Sequence, residues 1–357
     1  MKRVAALVAA VAMVVGAVYL RDARSTDRGS GQANGGSARG TLVCATELQA
    51  ACATIASQHP ELTVRVEEAQ VTLTALAKAS GEAGPNGLDA GLDAWLVPQP
   101  WPDMANQQRQ QSGSAPILGE STAVLARSPL VIAIWNDRRD VLQQRCGATI
   151  TWKCIGETAG SPWGTTPPPS SWGAVKPGHP TPERTAAGLL ILGEASASWF
   201  GTSSYASNDF SDPAFRAWFT RLERAIPSFP TPPRTPLDDM LFTGPASFDL
   251  TGSTEAAAGP AIATSRDSGR LTILYPAPLT TADVVLAPIA GSDAGDRMHK
   301  LIESDQTAAA LAAAGWRVEG KAPAPGLPDQ PPLPAESNVP RAGVLQALRS
   351  LWIEVVR

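Results

Sequence analysis

Histidine and cysteine, the side chains that most often carry chemistry, are scarce: three histidines and four cysteines in 357 residues. His59, His179 and His299 stand singly, and neither cysteine pair has CxxC spacing, so no zinc set is spelled out and no metal or cofactor is expected. Usable matches to GxSxG, HExxH, SxxK, GxxxxGK[ST] and GxGxxG are missing as well, so an enzyme is not expected. The paired acids Asp238-Asp239 open a helix, where solvated capping explains them. A basic stripe is also lacking. The formal charge is −4, and the first forty residues carry +4 (six basic, two acidic), which leaves the body at −8 and excludes nucleic acid as a partner.

What is present begins with an apolar run, Val4 to Leu20, behind Lys2 and Arg3. Its length suits a short membrane span or a secretory signal, with Val15-Gly16-Ala17 as a small-residue cleavage site. An uncleaved signal anchor over 1–20 is the favoured reading and a cleaved peptide the alternative; both put the body outside the cytoplasm. Residues 21–40, rich in Gly, Ser, Asn and Arg, read as a flexible linker. The cysteines fit export. Cys44 and Cys52 are eight residues apart, and Cys146 and Cys154 repeat that interval. Local disulfides 44–52 and 146–154 are the simplest of three connectivities, with buried free thiols the alternative.

From residue 41 strands and helices alternate. Thr41 to Cys44 reads as a strand, Glu47 to Gln58 as a helix, Leu62 to Glu67 as a strand, Thr72 to Ala79 as a helix, and Leu88 to Val97 holds the next strand. This rhythm predicts a parallel sheet with helical crossovers. Ser128 to Trp135, the most continuous apolar strand, should be central. Helices are expected from Asp140, from Thr151 and over Asp212 to Ala225, the last with Phe215, Trp218, Phe219 and Leu222 on one core-facing stripe. The loop 161–171 is too proline-rich for regular structure, and a second proline cluster, Pro227 to Pro236, precedes a short helix near 237–242. Strands at Leu271 to Tyr275 and Asp283 to Ala287, one helix over Asp296 to Ala313, a proline-rich linker over 321–340 and an amphipathic helix over Val344 to Val356 complete the pattern. Between them, Asp249 to Ser253 reads as a loop and helix start.

Trp172 to Leu192 anchors this pattern. A short strand, Gly173 to Lys176, passes through a loop with four prolines and glycines into a helix, with Thr181 as its cap and Pro182 at its first position. The N–H groups at such a helix start line the ligand crevice of open α/β sheets.

The ordered motifs LVCATEL, LDAWLVP, SPLVIAIW, PGHPTPERTAAGLLIL, LTILYP and AAGWR together resemble bacterial extracellular solute-binding proteins over residues 41–318. The subgroup they are most similar to is the molybdate/sulfate type, often fused to a von Willebrand factor A domain that is missing here. The resemblance implies a two-lobed periplasmic-binding-protein-like α/β fold with parallel or mixed sheets flanked by helices and two crossings between lobes. Lobe one would be 41–127 plus 244–318 and lobe two 128–243, with crossings at Ala126 to Ile132 and Gly244 to Phe248. The linker would run over 319–340 and the last helix over 341–357. Oxyanion binders of this type offer hydroxyls where this chain has Cys44-Ala45-Thr46-Glu47, and Glu47 is a poor neighbour for an anion.

The resemblance implies a membrane-tethered, extracytoplasmic protein that captures a small molecule or oxyanion between its lobes. Thr46, Ser128, Thr185 and Thr254 would contribute hydroxyls, and Trp101 and Tyr275 apolar walls. A membrane transporter or envelope protein would be its macromolecular partner. The alternative is a degenerate lobe pair serving as an envelope scaffold, presenting a tryptophan surface and a closed, apolar-filled cleft.

Overall fold

The computed structural model describes residues 40–79, 91–164, 172–322 and 330–357. The expected membrane segment and nearly all of the tether lie outside this range, as do most of the loop 161–171 and part of the segment 321–340. Among the described residues no helix is long and apolar enough to cross a membrane.

The strands are β1 (Thr41–Ala45), β2 (Thr63–Glu67), β3 (Ala94–Pro98), β4 (Ala126–Trp135), β5 (Leu250–Thr254), β6 (Leu271–Leu274) and β7 (Thr281–Pro288). The first six helices are α1 (Gln49–Gln58), α2 (Ala69–Lys78), α3 (Trp101–Gln111), α4 (Asn136–Cys146), α5 (Trp152–Thr158) and α6 (Ala186–Phe200). The rest are α7 (Pro213–Arg224), α8 (Pro236–Thr243), α9 (Glu255–Ala263), α10 (Asp293–Ile302), α11 (Asp305–Ala313) and α12 (Ala342–Val356).

β2, β1 and β3 pair in parallel through helical crossovers, as the alternating pattern predicts, and β7 closes the larger sheet antiparallel to β3. β4 joins two sheets. Its first residues, Ala126 to Pro129, pair with β7, while Leu130 to Ile134 pair with β5 and Ile132 to Trp135 with β6. Both of its faces are buried, which is why its sequence is continuously apolar rather than alternating. The strand period still sorts the side chains: Leu130, Ile132 and Ile134 enter the main core, and Val131, Ala133 and Trp135 a second core with Met240 and Phe248.

Several expectations need correction. Asp249 to Ser253 is not a loop and helix start, because all but its first residue lie in β5. Polar Thr251 and Ser253 are buried there, since antiparallel pairing to β4 satisfies their backbone. Gly252 is required at this point, because a Cβ would meet the Trp152 ring at 2.9 Å. Gly244–Ala246 is a short 3-10 turn ahead of β5, and after residue 274 the chain passes from β6, paired with the second half of β4, to β7, paired with its first half. The helix expected over 296–313 is two, α10 and α11, broken where Ser304 caps the second by accepting from Thr307 N (3.3 Å). Gly173 to Lys176 runs beside residues 160–163, with one bridge of Ala174 to Pro162, and is not a regular strand.

The aromatic stripe of α7 is core, as expected: Phe215, Trp218, Phe219 and Leu222 are buried. Both local disulfides, Cys44–Cys52 and Cys146–Cys154, are formed. Residues 330–340 are no free linker. Proline-rich backbone leaves its carbonyls unpaired, and two buried-side guanidiniums take them: Arg127 Nη1 donates to Pro334 O (2.7 Å) and Arg317 Nη1 to Pro331 O (2.6 Å). From there α12 buries Leu345, Leu348, Leu351 and Trp352 against α3 on one side and α6 and α7 on the other.

Candidate functional site

The helix of the anchor stretch begins one turn later than its prolines suggest. Residues 182–184 form a turn, and Thr185, not Thr181, is the cap of α6, accepting from Gly188 N (3.2 Å) while its hydroxyl donates to Thr181 O (2.8 Å). The chain folds back so tightly here that a Cβ on Gly188 would lie 2.3 Å from Pro180 O. That return leaves the first N–H groups of α6 facing the carboxyl end of β1.

The gap between them is a cleft of about 510 Å³. One wall comes from the larger-sheet side, with Thr46, Glu47, Ala50 and Ala53. The opposite wall has Pro180, Thr181, Thr185 and Ala187, together with the segment Pro230 to Asp238. Ser253, Thr254, Ala257 and Ala261 close the end at the β5–α9 turn. A shallower groove of about 980 Å³ beside α8 shares Pro233, Arg234, Asp238 and Ala261 with this cleft but is bordered by one side of the molecule only.

Three contacts bridge the walls. Glu47 Oε1 accepts from Ala187 N (2.8 Å), so a carboxylate of one wall sits on the positive end of the helix in the other. Arg184 Nε donates to Glu68 Oε2 (2.6 Å), and Gln70 N donates to Arg184 O (3.3 Å). Burial pushes the Glu47 carboxyl up from its ordinary value, against the lowering effect of the Ala187 N–H.

Of the residues singled out from the sequence, Thr46, Thr185 and Thr254 line this cleft, brought together from three distant turns. Thr254 caps α9 through Ala257 N (3.3 Å), and the Thr46 hydroxyl donates to Glu47 (3.3 Å). The other three lie outside it. Ser128 is buried and its Oγ accepts from Ala256 N (3.0 Å), a second cap for α9. Trp101 is fully buried in the core, edge-on to Trp95 with ring centroids 6.4 Å apart. Tyr275 donates to Glu255 (2.7 Å), whose carboxylate is also held by Arg317. Hydroxyl and aromatic residues near a turn look alike in sequence whether they serve a cap, a core or a cleft.

Residues 230–238 were the missed wall. Their signal was there: Thr235-Pro236 followed by Asp238 is a capping box, with Thr235 N donating to Asp238 (2.7 Å) and Asp238 N donating to Thr235 (3.3 Å). Asp249 is buried and accepts from Arg138 Nε (3.1 Å), Trp163 Nε1 (3.1 Å) and Lys176 N (2.9 Å). Both of its oxygens are thus held by protein donors.

The fold and the cleft between its two sides define a class: the chain has the two-lobed fold of periplasmic, or extracellular, solute-binding proteins of the second type. It aligns with the periplasmic thiamin binding protein at a TM-score of 0.59 and 12% identity, covering 92% of this chain and 100% of that one. It aligns with the periplasmic binding protein P5PA at 0.56 and 12%, covering 90% and 100%. For the sulfate-binding protein SubI from Mycobacterium tuberculosis H37Rv the values are 0.51 and 13%, covering 80% and 88%. The likeness extends across binders of different ligands, so it does not single out the sulfate-type subgroup. No protein-family model matches the chain, and curated proteins yield no match.

Proposed function

We propose that this chain is an extracytoplasmic solute-binding protein that captures a small molecule in the 510 Å³ cleft, without catalysis. One observation carries the reading: turns at residues 46–53, 180–187, 230–238 and 253–261 converge on one concavity whose size suits a small ligand. The two disulfides support folding in an oxidising compartment, and the N-terminal apolar run supports export and tethering. We place one lobe at 41–129 plus 281–322 and the other at 130–280, following the sheets that each half of β4 joins. A membrane transporter is the natural recipient of a captured solute.

The scaffold reading asks for a filled cleft and a tryptophan surface. The cleft has room, and none of the ten tryptophans is exposed, which favours capture. The test is thermal-shift screening of a metabolite library against the wild type and an Ala53→Trp variant. Ala53 is exposed on the cleft wall, so the indole fills the space without unpacking the core. Hits that stabilise the wild type and lose their shift in the variant support capture. Hits that persist unchanged in the variant place binding elsewhere and overturn it.

A further inference from the structure

We propose that the cleft selects a small organic cation, an ammonium or guanidinium head on a compact apolar body, with Glu47 as its counter-charge, and does not hold an oxyanion. This rests on the solute-capture reading and narrows it. In a site built for an anion, the helix N-terminus facing the cleft is left open for the ligand. Here the opposite wall delivers Glu47 to that place, and its Oε1 accepts from Ala187 N at 2.8 Å. An oxyanion would have to displace a tethered carboxylate and then sit beside it.

The remaining charges point the same way. The ionisable residues of the lining are Glu47, Asp238 and Arg234. Arg234 is paired with Asp239 at the exposed edge of the cleft. Glu47 is therefore the acid directed at the cavity, Asp238 borders it while holding its own helix cap, and the one base of the lining is already paired.

Glu47 has no cationic partner among its donors. The donors around it are the Ala187 N–H and the Thr46 hydroxyl at 3.3 Å, with the backbone N–H groups of Ala186 and Glu47 itself close by, and none of them carries a positive charge. Burial of this carboxylate without a cationic partner raises its pKa; an ammonium group beside it would supply the missing partner. Around the acids, Ala50, Ala53, Ala257, Pro230 and Pro232 give small apolar surfaces suited to a hydrocarbon body.

The experiment is a thermal-shift and calorimetric panel of primary ammonium, quaternary ammonium and guanidinium compounds, each matched by a neutral isostere, together with sulfate, phosphate and small carboxylates. The panel is run on wild type, Glu47→Gln, Asp238→Asn and Ala53→Trp. Glutamine at 47 still accepts from Ala187 N, so the fold is kept while the charge is removed. The expected result is binding confined to cations, weakened at least ~10-fold by Glu47→Gln, the size of one charge-assisted hydrogen bond. Anions or neutral isosteres binding as tightly as cations, or cation affinity unchanged in Glu47→Gln, overturn the inference and leave capture standing. A panel wholly silent on the wild type, with the broad library silent too, overturns capture itself.

Discussion

His179 is the residue whose surroundings most constrain its chemistry. It is buried, with Nδ1 2.8 Å from Pro180 O and Nε2 3.1 and 3.2 Å from the two oxygens of Glu223. Both ring nitrogens face acceptors, which the imidazolium alone satisfies. Burial opposes that charge, but the charge and hydrogen bonds of Glu223 outweigh it, and the His179 pKa is raised above its ordinary 6.5. Trp352 of α12 completes the cluster by donating to Glu223 (2.7 Å). A folded-state pKa above the unfolded one stabilises fully below about pH 6.5 and is lost as pH rises through the folded value. Glu47, Glu194 and Asp249, raised chiefly by burial, act with the same sign from lower pH. The melting temperature should therefore fall as pH rises from 6 to 8.5, and Glu223→Gln should flatten the upper part of that fall. A melting temperature that climbs over this range would refute the assignment.

At the scale of elements, α12 ties three other helices together. Its leucines and Trp352 cover α3, α6 and α7 together, and the 330–340 segment delivers it across the junction of β4 and β7. Burying one such leucine contributes ~1.5–3 kcal/mol, and truncating it leaves a cavity as well. Leu348→Ala should cost ~2–5 kcal/mol in urea unfolding, a large part of a total stability of ~5–15 kcal/mol. A loss under ~1 kcal/mol would show that the helix is only loosely docked. Each disulfide closes a short loop and should add a smaller ~2.5 kcal/mol.

For the whole molecule, the question is what holds the two sides of the cleft together. The front contact between Arg184 and Glu68 is a partly exposed ion pair, worth ~0–1 kcal/mol. The apolar strap of α12 at the back is several times stronger. Removing the ion pair with Glu68→Ala should leave the radius of gyration in small-angle scattering unchanged. Combining it with Leu348→Ala should increase that radius. Expansion from Glu68→Ala alone would mean that the ion pair, and not the strap, sets the resting geometry.

The sequence by itself determined most of the elements and the class of fold. Long apolar or amphipathic periods such as β4 and α7 are dictated by local burial demands, and the βαβαβ order leaves few topologies. Eight-residue cysteine spacing is short enough to pair locally, so both disulfides were legible too. Tertiary structure alone decided which face a polar or aromatic residue serves. Thr185 and Ser128 are both caps, yet only one of them borders the cleft, and Trp101 went to the core. It also decided that β5, polar in sequence, is a buried strand, and that Glu47 meets a helix 140 residues away. The physical reason is the same in each case. Periodicity is a property of neighbours along the chain, whereas a cleft is made by distant turns whose meeting depends on how the sheets pack.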